Sequence, residues 1–232
     1  MQRANRHFLP GYVWHITHRC HQRKFLLKFA RDRRRYLHWL FEAKKRFGLC
    51  VLDYMVTSNH VHLVVKDTGS DVIANSMQLI AGRTAQEYNQ RKGRQGAFWE
   101  DRYHATAIAL DEHLHRCLVY VDLNMVRTGA VNHPLEWPHS GYCEIQRPPK
   151  RYAIIDVGAL SSLFGLYNSL APWPHPGSAT ASFTTAASVT LRYVEFHTLR
   201  VKFDTPNSPI AGQRCVTSSA RLTQRSVSTL FS

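Results

Sequence analysis

Acidic side chains are scarce in this chain: sixteen Asp and Glu stand against thirty Lys and Arg, a formal net charge of +14. That imbalance is the footprint of a polyanionic partner, nucleic acid first and an anionic membrane surface a distant second. It also fits poorly with an enzyme acting on a small molecule. Long apolar runs are missing as well, none approaching the roughly 18 residues of a membrane-spanning helix, and the basic N-terminus lacks an apolar signal region. The cysteines are few, odd in number and widely spaced (Cys20, Cys50, Cys117, Cys143, Cys215), with no C-x-x-C pair. That excludes a disulfide framework and favours reduced thiols. His18, Cys20 and His21 find no second cysteine pair with which to build a zinc site, so they read as strand-end residues. The expectation is a soluble, cytoplasmic protein.

What the chain does have is Thr57-Ser58-Asn59-His60-Val61-His62-Leu63-Val64-Val65, two histidines at i and i+2 in an alternating apolar run. In a strand, His60 and His62 project from one face while Val61, Leu63 and Val65 point toward a covering layer. The pair is placed to hold a metal, or else is a polar strand face. A second element, 111–127, reads as a helix with Asp111 as N-cap and Gly129 as its stop. Leu114, Leu118, Val121 and Met125 form the buried stripe. Arg116, Tyr120, Asn124 and Arg127 form a polar stripe beside it, with Tyr120 and Asn124 one turn apart.

The run Asn59-His60-Val61-His62, then Phe98-Trp99-Glu100-Asp101-Arg102-Tyr103, then Tyr120-Val121-Asp122-Leu123-Asn124-Met125-Val126-Arg127-Thr128-Gly129, resembles the IS200-like single-tyrosine transposases. More narrowly, it resembles their REP-associated branch, HUH nucleases named for two histidines flanking a hydrophobic residue. The likeness covers residues 1 to about 165. The sequence departs from the family pattern at Thr57-Ser58 (usually Met-Pro), at Met125 (usually Pro) and at Thr128 (usually Ala), and no departure removes a group the chemistry needs.

The resemblance implies Tyr120 as nucleophile, His60, His62 and Asn124 as ligands of Mg²⁺ or Mn²⁺, and a single-stranded DNA hairpin as partner. The product would be a 5′-phosphotyrosine link with a free 3′-hydroxyl, so the reaction transfers strands as well as cutting them. A tyrosine, with its reference pKa of about 10, is a poor nucleophile near neutrality, and a metal on the phosphate is the natural remedy. Arg19, Arg83, Trp99, Arg102 and Arg127 are the candidate DNA contacts. For Phe98 and Trp99, stacking on bases and packing under the sheet both stay open, as does a helix-end role for Asn124. The narrower resemblance favours a monomer. The competing function is a nucleic-acid-binding module or repressor on the same fold, without nuclease activity.

In chain order, 11–18 reads as a strand, 30–47 as a helix stopped by Gly48, and 49–56 as a strand that turns at Ser58-Asn59 into the histidine strand. A helix opened by Asp71 and closed by Gly93 follows, then a strand over 103–110. The resulting β-α-β-β-α-β-α order predicts an α+β, ferredoxin-like antiparallel sheet with helices on one face and a C-terminal tyrosine helix. The domain is assigned to 1–165. Residues 152–166 carry enough aliphatics for a short packed helix or strand. From 171 to 232, eighteen of 62 residues are Ser or Thr with no sustained period. A poorly ordered tail is therefore expected over 166–232.

Overall fold

The computed structural model describes residues 8–69, 71–110 and 112–170. Strands β1 (Val13–Arg19), β2 (Cys50–Val56), β3 (His60–Lys66) and β4 (His104–Ile108) form one antiparallel sheet in the order β2-β3-β1-β4. Helix α1 (Ala30–Phe47) connects β1 to β2, and α2 (Val72–Lys92) connects β3 to β4. This is the ferredoxin-like order that the alternating and helical periods predict. Both helices stop at a glycine in the left-handed region, Gly48 at φ +71° and Gly93 at φ +56°, where a side chain would be strained. Asp71 precedes α2 but makes no side-chain cap bond. Its own backbone is left-handed (φ 56°), a conformation that Asp tolerates better than most residues.

Strand register decides which side chains share a face. Trp14 pairs with Val65, Ile16 with Leu63 and His18 with Val61. These lie under α1 and α2: the Trp99 ring stacks on His18 at 3.9 Å and lies 6.2 Å from Tyr36 of α1. Ile16, Leu63, Val65, Leu40, Met77 and Ile80 are buried there. On the other face, His15 pairs with Val64, Thr17 with His62 and Arg19 with His60.

That second face, opposite the layer of α1 and α2, is covered as well. Helices α3 (Glu112–Asp122) and α4 (Asn124–Arg127) bring Tyr120 and Asn124 against His62, leaving His62 only 5% exposed. The single helix expected over 111–127 is interrupted at Leu123 (φ −84°, ψ 3°). The backbone ladder still bridges the break, with Leu123 N–H on Val119 O at 3.0 Å and Arg127 N–H on Leu123 O at 2.9 Å. The stripe Leu114, Leu118, Val121 and Met125 is buried as its spacing requires. Asp111, the expected cap, lies outside the described residues.

The outer edge of β2 is closed by later chain. Val56 N–H donates to His139 O at 3.0 Å and Asp156 N–H to Val51 O at 2.7 Å, and α5 (Gly141–Gln146) and α6 (Val157–Leu170) follow. The segment expected as helix or strand over 152–166 is thus mainly helix. Asp53 and Asp122, both 0% exposed, lie between β2 and α3. Burial, reinforced by the Asp122 charge, pushes the Asp53 carboxyl well above the usual carboxylate range. A Cβ at Gly141 would collide with Asp53 Oδ1, so the chain can cross here only as glycine. Among the described residues Cys20, Cys50 and Cys143 are free thiols. Among the described residues no helix is long and apolar enough to cross a membrane. The segment 171–232, and with it the expected Ser/Thr-rich tail, lies outside the described residues.

Candidate active site

The site is built where β3 begins. The two-residue turn after β2 is fixed by Thr57, whose N–H donates to His60 O at 3.0 Å and whose hydroxyl donates to the same carbonyl at 2.8 Å. With its proton spent there, Thr57 Oγ1 accepts from His60 N–H at 3.1 Å and faces His60 Nδ1 at 3.0 Å. Asn59 Oδ1 stands 2.7 Å from the same Nδ1, while Asn59 Nδ2 donates to Arg23 O at 3.2 Å. Two oxygen acceptors on Nδ1 put the proton there. The His60 Nε2 lone pair is left free to bind.

His62 is oriented in the same sense by different partners. Asn124 Nδ2 lies 3.3 Å from His62 Nε2, so Nε2 is the accepting nitrogen and Nδ1 carries the proton. That proton is directed at His15 Nε2, 3.0 Å away. The His15 and His62 rings stack at 5.2 Å. Burial, reinforced by neighbouring imidazoles and by Arg19, holds His62 well below the usual histidine range. Burial lowers His60 to about 4, with Arg19 adding to it, and burial alone lowers His15 to about 4. The three imidazoles are therefore neutral near pH 7, the form in which a histidine can ligate a metal.

Tyr120 stands at the open side of this cluster. Its ring lies 5.7 Å from His62 and 6.2 Å from His15, edge-on to both, and is 40% exposed. The Arg127 guanidinium sits 5.4 Å over the Tyr120 ring. Asn124 is 8% exposed, and its Oδ1 is buried without a hydrogen-bond partner. With the amide turned so that Oδ1 replaces Nδ2 beside His62 Nε2, Asn124 and the two neutral imidazoles would form a donor set that suits a divalent cation, and a buried carbonyl oxygen otherwise finds a partner. Among the described residues no three His, Cys, Asp or Glu side chains have metal-ligand geometry, so a cation here would depend on the Asn124 amide.

The predicted site residues divide by location. Tyr120, His62 and Asn124 come together, and His60 adjoins them, its ring 4.9 Å from that of His62. Arg19 ends β1 opposite His60, and Arg127 covers the tyrosine. Arg102 is exposed on the loop before β4, two residues past Glu100, whose N–H donates to Arg19 O at 2.9 Å. Arg83 and Trp99 are not brought to the site. Arg83 is exposed on α2, 5.5 Å over the Trp39 ring, and α2 covers the opposite face of the sheet. Trp99 packs under α2, its ring on His18 and its Nε1–H donating to Ala81 O at 3.0 Å. Phe98 beside it is buried. Of the two readings left open for this pair, packing describes what these rings do.

Sequence reasoning missed His15, which it placed only as one residue of the first strand. Its signal was the alternation His15, Thr17, Arg19. Once that strand pairs with the histidine strand, the alternation puts His15 on the face of His62.

Residues 10–124 match the model of the family "Transposase IS200 like". A solved structure of a REP-associated tyrosine transposase bound to a REP hairpin is similar at 19% identity and a TM-score of 0.52, over 67% of this chain and 94% of that one. A transposase-like protein of Deinococcus radiodurans R1 aligns at 16% identity and a TM-score of 0.38, over 50% of this chain and 92% of that one. No curated protein matches the chain.

Proposed function

Since the chain belongs to the IS200-like transposases, we propose that it nicks and rejoins single-stranded DNA at a REP-like hairpin through a 5′-phosphotyrosine on Tyr120. The observation that carries this reading is the convergence of Tyr120, His62 and Asn124. The hydroxyl-bearing ring lies 5.7 Å from an imidazole that itself touches the Asn124 amide. The solved neighbour held on a REP hairpin and the charge of +14 support DNA as the substrate.

Each residue then has a task. Tyr120, exposed beside the cluster, attacks the scissile phosphorus and displaces the 3′-oxygen. Arg127, stacked on the Tyr120 ring, holds the phenol in place and brings positive charge to the incoming phosphate. His60, His62 and Asn124 would hold a Mg²⁺ or Mn²⁺ ion, which when bound supplies charge neutralisation on that phosphate. Asn59 and Thr57 fix the His60 imidazole with Nε2 free, and His15 fixes that of His62 with Nε2 facing the Asn124 amide. The phosphotyrosine retains the energy of the broken ester, so a free 3′-hydroxyl can reverse the step or join a new strand. Residues 1–165 carry these tasks.

The deciding experiment is a nicking assay on labelled hairpin oligonucleotides with and without Mn²⁺. Metal-dependent cleavage with a covalent protein–DNA adduct is expected, and His60→Ala and His62→Ala should each abolish it. Cleavage at the wild-type rate by either variant would reduce the pair to a polar strand face.

A further inference from the structure

Beside the tyrosine cluster lies a cavity of about 560 Å³, walled by Arg19, Arg23, Phe25, Asn59, His60 and Asn124 among others. Its volume falls within the range of about 300–1,000 Å³ common for small-molecule sites. Phe25 is 65% exposed. An aromatic ring left in water on a cavity wall, with two guanidinium side chains nearby, has the components of a single-strand binding subsite: a stacking face and phosphate partners. The segment that presents it is unusual in its backbone. Gln22 and Arg23 both have positive φ, 52° and 56°, conformations that non-glycine residues keep only where the surroundings impose them. Asn59 is one such constraint, since its amide donates to Arg23 O at 3.2 Å while its oxygen lies 2.7 Å from His60 Nδ1. One side chain thus ties the Phe25 segment to a proposed metal ligand.

We propose that this cavity seats a single unpaired nucleotide, the one that departs with the 3′-oxygen, its base on Phe25 and its phosphate between Arg19 and Arg23. The proposal rests on the transposase reading for the choice of nucleotide. In an in-line displacement the attacking and leaving oxygens lie on opposite sides of phosphorus. The Tyr120 Oη–P bond forms as the P–O3′ bond breaks; the phenol gives its proton to solvent, and the departing oxygen takes one up to become a hydroxyl. Tyr120 packs against His62 and His15, whereas the cavity is walled by His60 and Asn124 and not by Tyr120. The space away from the nucleophile therefore belongs to the leaving strand.

Two measurements on the full chain test this. The first uses single-stranded oligonucleotides carrying 2-aminopurine, bound in EDTA so that nothing is cut. Wild type should quench the fluorophore, Phe25→Ala should lose the quench and about tenfold in affinity, and Phe25→Trp should recover both. Because Phe25 is exposed, these variants leave the core intact, and a quench indifferent to Phe25 overturns the seat whether or not the protein nicks DNA. The second uses the hairpin substrate with an abasic residue on either side of the cut. Loss of the base on the 5′ side should raise KM about tenfold with little change in kcat, and loss on the 3′ side should not. The opposite pattern overturns the assigned nucleotide. Quenching that depends on Phe25 without any tyrosyl adduct would leave the seat standing and defeat the transposase reaction instead.

Discussion

His15 Nε2 stands 3.0 Å from His62 Nδ1, and this contact leaves Nε2 as the nitrogen with which His62 can ligate. If so, His15→Ala should weaken Mn²⁺ binding by about 10–100-fold, the usual effect of removing a partner that orients a metal ligand. His15→Gln keeps an acceptor oxygen and should recover much of it. Mn²⁺ affinity by electron paramagnetic resonance, with the ¹⁵N shifts of the His62 ring in the metal-free protein, reads the tautomer directly. An unchanged His62 tautomer in the Ala variant would confine His15 to packing.

Tyr120→Phe should abolish the covalent protein–DNA adduct on denaturing gels and leave hairpin affinity within a few-fold, because only the hydroxyl is lost. The ring contacts to His62 and Arg127 do not need it. An adduct surviving in the Phe variant would move the nucleophile elsewhere.

Much of this was legible in the sequence because it depends on periods. The alternation around His60 and His62 and the stripe Leu114, Leu118, Val121, Met125 give strand, helix and facing sides directly. What period cannot give is strand order. Without β1 lying beside β3, nothing marks His15 as a neighbour of His62. The same gap hid where Arg83 and Trp99 lie: both have nucleic-acid-binding chemistry, and the fold puts them at α2, on the sheet face away from Tyr120. The cover over the second face was hidden for a related reason, since α3 and α4 reach it only by returning across the sheet after β4.

Arg83 and Arg127 give a paired comparison. Arg127→Ala should lower kcat, because its guanidinium lies 5.4 Å over the Tyr120 ring. Arg83→Ala should leave both cleavage and the salt dependence of hairpin binding unchanged, whereas loss of a phosphate contact would reduce the salt slope by about 1. A reduced slope in Arg83→Ala would mean that DNA wraps to the far face.

Asp53 should make stability fall with rising pH. Its carboxyl is held above the ordinary value of 3.8, first by burial and then by Asp122, so the folded chain retains a proton that the unfolded chain releases. Stability is therefore fullest below the unfolded-state value and declines as pH rises from there toward the raised folded-state value. Asp53→Asn stays neutral and keeps an oxygen for the Tyr54 N–H, now 2.7 Å from Asp53 Oδ1. The variant should melt higher than wild type near pH 7, each kcal/mol being about 2–4 °C in a chain of this size, and the gap should close toward pH 4. Parallel melting curves across that range would remove Asp53 from the account.

Asn124 provides the sharpest test of the metal proposal, because its side chain has two possible employments. A residue at the start of α4 could serve the helix end, but the contact that runs from its side chain goes to His62 at 3.3 Å. The backbone carbonyl, not the amide, accepts from Thr128 N–H. Its Oδ1 is buried and unpaired, a costly state for a carbonyl unless something binds there. Asn124→Ala should therefore weaken Mn²⁺ affinity by at least about tenfold, while Asn124→Asp should keep or raise it, a charged oxygen being the harder donor. The two variants should also part in stability. Without metal, Asp buries a charge and should melt lower than wild type, and added Mn²⁺ should restore it. Ala should show no comparable rescue. Equal Mn²⁺ binding by wild type and Asn124→Ala would falsify the third ligand and leave the two histidines without an oxygen partner.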